Sequence, residues 1–260
     1  MPPFPPPGFP PPPTPIAQGL FERYVRRLAA RHFSGVHWAR RGQPEHWDRS
    51  VPTMFVANHT NWWDGFLAFL VGRSLGLTFQ VLMEARHLAR YRVFLRVGAL
   101  PLRRGNAREA YADLTAAAGY LRPGAGLWMF PQGERRPPAE RPAACERGAA
   151  HLALGHPGPL RICPVAFRYA FLGEQLPEAF VLVGDEWLPR REEYGGRAPL
   201  MRAIEERLGG VVDGLDELVT GERLAAFQPL AAGRLSVNKR LDRVRHVVGL
   251  LRGPFEVRNG

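Results

Sequence analysis

The sequence predicts an α/β fold with a mostly parallel central sheet flanked by helices and an amphipathic helix ahead of it. Two observations predict it. Through the middle of the chain, short apolar runs alternate with stretches of helical periodicity, the pattern of strand–helix–strand units. Each apolar run also stops abruptly at polar or glycine-containing residues, as strands do where they empty into loops. At 260 residues with 45% apolar and 23% charged residues, the chain can bury one substantial core and has an ordinary globular composition.

Residues 1–15 are mostly proline and read as an extended, disordered tail. Residues 16–260 read as a single domain made of an amphipathic helix (16–33), a core (51–183) and C-terminal helices (200–251). In the first helix Leu20, Phe21, Tyr24, Val25, Leu28 and Phe33 recur every three or four residues, with Arg23, Arg26, Arg27 and Arg31 between them. Such a basic amphipathic helix either packs on its own domain or lies on an anionic membrane surface. Val36–Arg41 fits a short strand. Val51–Ala57 is an apolar, β-branched run that forms the central strand, and Phe66–Val71 is the helix after it.

Leu77–Met83 reads as a second buried strand, followed by a basic helical stretch, Ala85–Leu95. An apolar run from Val97 then ends in Arg103-Arg104-Gly105, and Ala107–Leu121 is a covering helix. Leu127–Phe130 is a third short strand that runs into Pro131-Gln132-Gly133-Glu134-Arg135-Arg136. Gly148–Leu154 reads as helix, Leu160–Phe167 as a strand containing Pro164, and Phe180–Val183 as another strand. Met201–Phe227 and Leu235–Leu251 read as closing helices.

The net charge of +11 is carried almost wholly by arginine, since Lys239 is the sole lysine. A basic protein is drawn to nucleic acid, anionic lipid or phosphorylated substrates, and charge alone does not choose among them. No zinc-ligand spacing, helix-turn-helix pattern or aromatic stacking motif is visible, so no nucleic acid is expected as a partner. The longest apolar stretch, Gly65–Gly72, is far short of the ~20 residues a bilayer span needs. No charged-then-apolar secretory signal opens the sequence. Cys145 and Cys163 lie far apart without metal-ligand spacing, which suits a reducing compartment. The expectation is a cytoplasmic protein with no bound metal. His87, His151, His156 and His246 read as ordinary residues.

The chemistry concentrates where the central strand ends, in Asn58-His59-Thr60-Asn61-Trp62-Trp63-Asp64. Asp64 falls in the first turn of the following helix, where exposed N–H groups favour a carboxylate. His59 falls in the loop before it, so a bend can bring the two together. A neutral imidazole can take a proton from an alcohol, and a carboxylate on the other ring nitrogen holds its tautomer. No Ser or Cys lies in this loop, so the attacking hydroxyl would be the substrate's own. The plainer alternative is a loop histidine beside a helix-capping aspartate. Trp62 and Trp63 either pack as walls of the site or line a lipid entrance.

Three strand ends thus carry polar groups: His59/Asp64, Arg103/Arg104, and Gln132 with Glu134, Arg135 and Arg136. In a parallel sheet these ends share one edge and can converge. Arginines there suit a phosphate, although any one of them alone reads better as a surface ion pair. Gly133 would let the backbone approach a ligand.

The block NHTNWWD resembles the NH-x4-D motif of the glycerolipid acyltransferases, the lysophospholipid and glycerol-phosphate acyltransferases. GALPLRRG resembles their second block and places its arginine on Arg104. FPQGERR resembles their F-P-E-G-T-R block, with its arginine on Arg135. ICPVAF is similar to the fourth, proline-containing block. The four occur in family order between Asn58 and Phe167. The resemblance implies an acyltransferase-like fold and an O-acyltransferase without a bound cofactor. His59 would deprotonate a lipid hydroxyl that attacks the thioester of acyl-CoA or acyl-carrier protein, and Asp64 would orient the histidine. Asn58, Arg104, Gln132, Gly133, Glu134 and Arg135 would bind substrate, the two arginines holding an acceptor phosphate. It also implies peripheral contact with the anionic surface of the cytoplasmic membrane. The family's third-block glutamate is Gln132 here and its threonine is Glu134. That removes one carboxylate and adds another near the supposed phosphate, which points to an acceptor other than ordinary lysophosphatidic acid, such as a glycolipid or a modified isoprenoid. The competing reading is a non-catalytic basic protein that binds anionic membrane or nucleic acid on the same fold.

Overall fold

The computed structural model describes residues 9–42, 46–140 and 145–234; the helix expected over Leu235–Leu251 lies outside these residues. Helix α1 (Pro15–His32) starts where Thr14 accepts a hydrogen bond from the Ala17 N–H, with Pro15 in the first turn, where its missing N–H costs nothing. Ahead of it, Phe9 is buried against Tyr120, whose hydroxyl donates to the Pro10 carbonyl. Then come β1 (Gly35–Arg40), β2 (Thr53–Ala57), α2 (Asp64–Ser74), β3 (Thr78–Glu84), α3 (Ala85–Arg90), α4 (Val93–Val97), β4 (Ala99–Leu102), α5 (Ala107–Tyr120) and β5 (Ala125–Met129). The chain continues through α6 (Gly148–Gly155), β6 (Arg161–Ala170), β7 (Glu178–Val183), α7 (Arg191–Tyr194), α8 (Arg197–Thr220) and β8 (Gln228–Ala232).

The described strands form one eight-stranded sheet in the order β4-β3-β5-β2-β6-β7-β1-β8. Strands β4, β3, β5, β2 and β6 are parallel neighbours, as are β7 and β1. Two antiparallel pairings, β6 with β7 and β1 with β8, complete a mostly parallel, open sheet. β2 lies between β5 and β6, and all five of its residues are buried, because helices cover both faces. Phe55 and Ala57 face a core shared with α1 and α2, where Phe69, Trp128 and Phe167 pack. Met54 and Val56 face the opposite core with Leu114, Leu127, Ala150, Ile162 and Ile204 from α5, α6, α8 and their strands. The alternation along one strand therefore builds a three-layer molecule.

The structure departs from the sequence expectation in four places. Residues 9–14, expected within an extended disordered tail over 1–15, lie against the domain, because the Phe9 ring fills the core beside Tyr120. The basic stretch 85–95 is two short helices, α3 and α4, separated by a turn at Tyr91 and Arg92. The closing helix stops at Thr220, and the residues after it supply β8, an antiparallel edge strand that accommodates Pro229 because an edge needs fewer N–H donors. β7 runs antiparallel to β6, and that ladder begins at Val165, immediately after Pro164.

Gly98 closes α4 with a φ of 114° and turns the chain into β4. A Cβ there would collide with the Phe79 carbonyl of β3. Gly98→Ala is therefore expected to lower stability by about 2–3 kcal/mol, through positive-φ strain and the collision together. Urea denaturation followed by circular dichroism reads this directly, and an unchanged midpoint would contradict it.

Candidate active site

β2 stops at Ala57, but its pairing with β6 does not. The Asn58 side chain donates from Nδ2 to the Phe167 carbonyl at 3.0 Å and accepts from the Phe167 N–H at 2.7 Å. A buried side-chain amide thus acts as one more peptide of the ladder, and it fixes where the loop leaves the sheet. His59 follows. Its main-chain N–H donates to Gln132 Oε1 at 2.6 Å, and its carbonyl accepts from the Arg136 N–H at 2.8 Å. Both backbone groups of His59 are therefore held by the loop after β5.

The loop then turns into α2 and brings Asp64 back beneath His59. Asp64 Oδ2 lies 2.8 Å from His59 Nδ1 and accepts the N–H groups of Thr60 at 2.7 Å and Asn61 at 2.8 Å. Its Oδ1 accepts the Tyr169 hydroxyl at 2.5 Å. The carboxylate is wholly buried, whereas the His59 side chain is 24% exposed. A buried carboxylate is stable only when its oxygens are met by donors, and here four donors meet them. With Nδ1–H directed at Asp64, the lone pair of His59 sits on Nε2, on the ring's other side. The Phe130 ring packs 4.5 Å from the imidazole, centroid to centroid.

Tyr169 was not legible from the motifs. It sits at the far end of β6, 105 residues from Asp64 in sequence. It reaches the site because β6 extends past the end of β2 to pair with β7. Burial first, then the Asp64 charge and hydrogen bond, push its phenol well above the ordinary range, so it remains a donor.

The other expected residues divide. Arg104 does reach the third block: its guanidinium donates to the Gly133 carbonyl and to Glu146. Gly133 turns with a φ of 75°, and a Cβ there would strike both Arg104 and Glu146. Gln132 is buried against the His59 backbone. Glu134 pairs with Arg136 at 3.1 Å, which offsets its charge, and Arg135 is exposed. Arg103 turns away from this cluster to Asp113, with Nε at 3.0 Å from Oδ2 and a terminal nitrogen at 2.7 Å from Oδ1. The ends of β2, β4 and β5 therefore meet through His59–Gln132 and Arg104–Gly133. Among the described residues no cluster of His, Cys, Asp or Glu could hold a metal ion.

This arrangement, a histidine held on a buried carboxylate at a rigid sheet end, lies within the stretch that a family model matches. Residues 40–168 match the family model described as acyltransferase. The chain carries an acyltransferase-family domain. That domain runs from the end of β1 to within one residue of Tyr169 and contains the three strand ends described above. A comparison with curated proteins returned no match. Acyl transfer is therefore the general activity that this domain brings.

Tyr169→Phe removes one donor from a buried carboxylate, a loss of about 1.5–3 kcal/mol for a charged hydrogen bond. The expected outcome is a lower melting temperature and a kcat reduced about tenfold or more, with KM for the acyl donor unchanged. A kcat equal to wild type would contradict the positioning assigned to Tyr169. The raised phenol also has a pH signature. Its stabilisation is fully present below the ordinary tyrosine value of about 10 and is lost as pH rises through the higher folded value. Wild type should therefore lose stability on alkaline titration more steeply than Tyr169→Phe, as read by denaturation midpoints across that range.

Proposed function

We propose that this acyltransferase moves a fatty acyl group from the thioester of acyl-CoA or acyl-carrier protein to the hydroxyl of a lipid acceptor. The observation that carries the proposal is the His59–Asp64 pair: Nδ1 is bound to a buried carboxylate and Nε2 is left free in a partly exposed ring. In the proposed step Nε2 takes the acceptor's hydroxyl proton as its oxygen attacks the thioester carbonyl. The tetrahedral intermediate collapses, the thiolate leaves with the proton returned by the imidazolium, and ester and free thiol are the products. Asp64 holds the tautomer and stabilises the imidazolium. The loop after β5 holds the His59 backbone, so the base does not depend on substrate for its position.

Gln132 and Arg104 bear on the acceptor. Gln132 accepts the His59 N–H without adding negative charge beside the imidazole. The Arg104 guanidinium is already bound to Glu146 and the Gly133 carbonyl, so an acceptor phosphate would have to displace the Glu146 carboxylate. Both features favour a hydroxyl-bearing lipid other than ordinary lysophosphatidic acid. The competing reading, a basic binding protein without turnover, lacks a reason for the buried network under His59.

The test is free-thiol release from acyl-CoA and from acyl-carrier protein, with extracted membrane lipids as acceptor. His59→Ala should lower lipid-dependent release on the order of 100- to 10,000-fold. Release that is the same in the variant would overturn the assignment of His59. Glu146→Gln removes the competing carboxylate from Arg104. It should lower KM for phosphate-bearing acceptors several-fold while leaving neutral acceptors unchanged, and a clean wild-type preference for lysophosphatidic acid would refute the reading of this pocket.

A further inference from the structure

Away from His59, on the layer that α5, α6 and α8 form over one face of the sheet, the surface opens into a cavity of about 320 Å³. His151 and Leu154 of α6, Arg191 of α7, and Gly196 and Arg197 at the entry to α8 line it. The link from α7 into α8 is Gly195-Gly196, and a Cβ on either residue would meet nothing within 4 Å. The wall there is bare backbone, open to a ligand.

The charged groups of the lining are all basic, and no Asp or Glu is among them. Arg191 donates to the Leu154 carbonyl at 2.6 Å, and the Arg197 guanidinium lies 5.5 Å from the centre of the Tyr111 ring. Among the described residues neither has a carboxylate partner. Arg103, Arg104, Arg136, Arg161 and Arg168, by contrast, each have one.

His151 gives a second, independent sign. Thr115 donates its hydroxyl proton to the Tyr111 carbonyl at 2.8 Å, so its oxygen accepts from His151 Nε2 at 2.9 Å. With the proton on Nε2, Nδ1 carries the lone pair, and this atom is buried without a partner. Burial first, then the Arg197 charge, hold the imidazole below the ordinary histidine range. The groups that face it are Tyr111 of α5, Arg191 of α7 and Arg197 of α8, none of which favours a second proton. A phosphate oxygen beside Nδ1 would favour one.

We infer that this cavity is an anion site for a phosphate ester, separate from the Arg104–Glu146 pair, with Arg191 and Arg197 binding its oxygens and His151 sharing a proton with it. Guanidinium forks match phosphate oxygens in geometry as well as charge. α6 starts two residues after Glu146, and at 1.5 Å per residue His151 to Gly155 lie about 5–10 Å along the helix from that start. Two sources carry the phosphate: the nucleotide end of a CoA thioester, whose arm would run along α6 towards His59, and a free phosphorylated small molecule. The first source rests on the proposed acyl transfer; the anion site does not.

The experiment is calorimetric titration of the full chain with adenosine 3′,5′-bisphosphate, CoA, dephospho-CoA and pyrophosphate. Arg191→Gln with Arg197→Gln should weaken binding on the order of 10- to 100-fold, through loss of charged hydrogen bonds. Gly196→Leu should weaken it as much by filling the cavity, since Gly196 is extended, with a φ of 160°, and accepts a side chain. Circular dichroism should match wild type in each. At about pH 8, where the phosphates are fully ionised, binding should take up a proton in wild type and not in His151→Gln. CoA that competes with adenosine bisphosphate and binds more tightly than dephospho-CoA assigns the site to the acyl donor. Pyrophosphate that binds as tightly as CoA assigns it to a free phosphorylated molecule. His59→Ala should bind the probes like wild type while losing thiol release, so failure of the catalytic reading and failure of the anion site give different results. No binding of any probe, binding unchanged in either cavity variant, or a proton balance that His151→Gln leaves as it is would overturn the inference.

Discussion

The Asp64 carboxylate sits at the start of α2, fully buried, where an unpaired charge would cost several kcal/mol. Its stability there depends on donors from two parts of the fold: the loop that follows β2 and the distal end of β6. Satisfying that one group sets the bend of the loop, the entry angle of α2 and the placement of Tyr169. It also leaves His59 as the exposed member of the network. The orientation of the proposed base, His59, is thus a consequence of solving a burial problem.

The second constraint comes from the sheet. Parallel neighbours bring the ends of β2, β4 and β5 to one edge, and each contributes a different function to it. The loop after β2 supplies the proposed base, His59. The loop after β5 holds the backbone of His59 on both its donor and acceptor sides. The end of β4 sends Arg104 across to the same loop, where Glu146 already binds it. In the proposed reaction an acceptor would meet a preformed imidazole beside an arginine whose charge is partly offset, a setting that differs from an open phosphate pocket.

Much of this was legible in the sequence because local pattern determines it. The spacing of His59 and Asp64 across a strand-to-helix junction told of their contact, since that bend is a local event. The apolar runs located β2, β3, β5 and β6, whose burial on both faces leaves little freedom in composition. What stayed hidden depends on non-local geometry. Tyr169 has no motif around it and becomes part of the site only because β6 outruns β2. The engagement of Arg104 by Glu146 needs a loop and a strand end 42 residues apart to meet. The outward face of α1 was obscured because its apolar residues serve two sides of the helix, and only packing separates Val25 from Tyr24. β8 was missed because five residues containing a proline make a weak strand pattern, and its partner β1 lies at the other end of the described chain.

Asp64→Asn asks whether the buried carboxylate organises the proposed base, His59. The substitution preserves shape while exchanging one acceptor oxygen for an amide that donates. Thiol release from acyl-CoA or acyl-carrier protein in the presence of membrane lipids should fall on the order of 1,000- to 10,000-fold, because the imidazole is left in the wrong tautomer without its counter-charge. Circular dichroism at assay temperature should remain that of the folded protein. A folded Asp64→Asn protein with undiminished turnover would contradict the account.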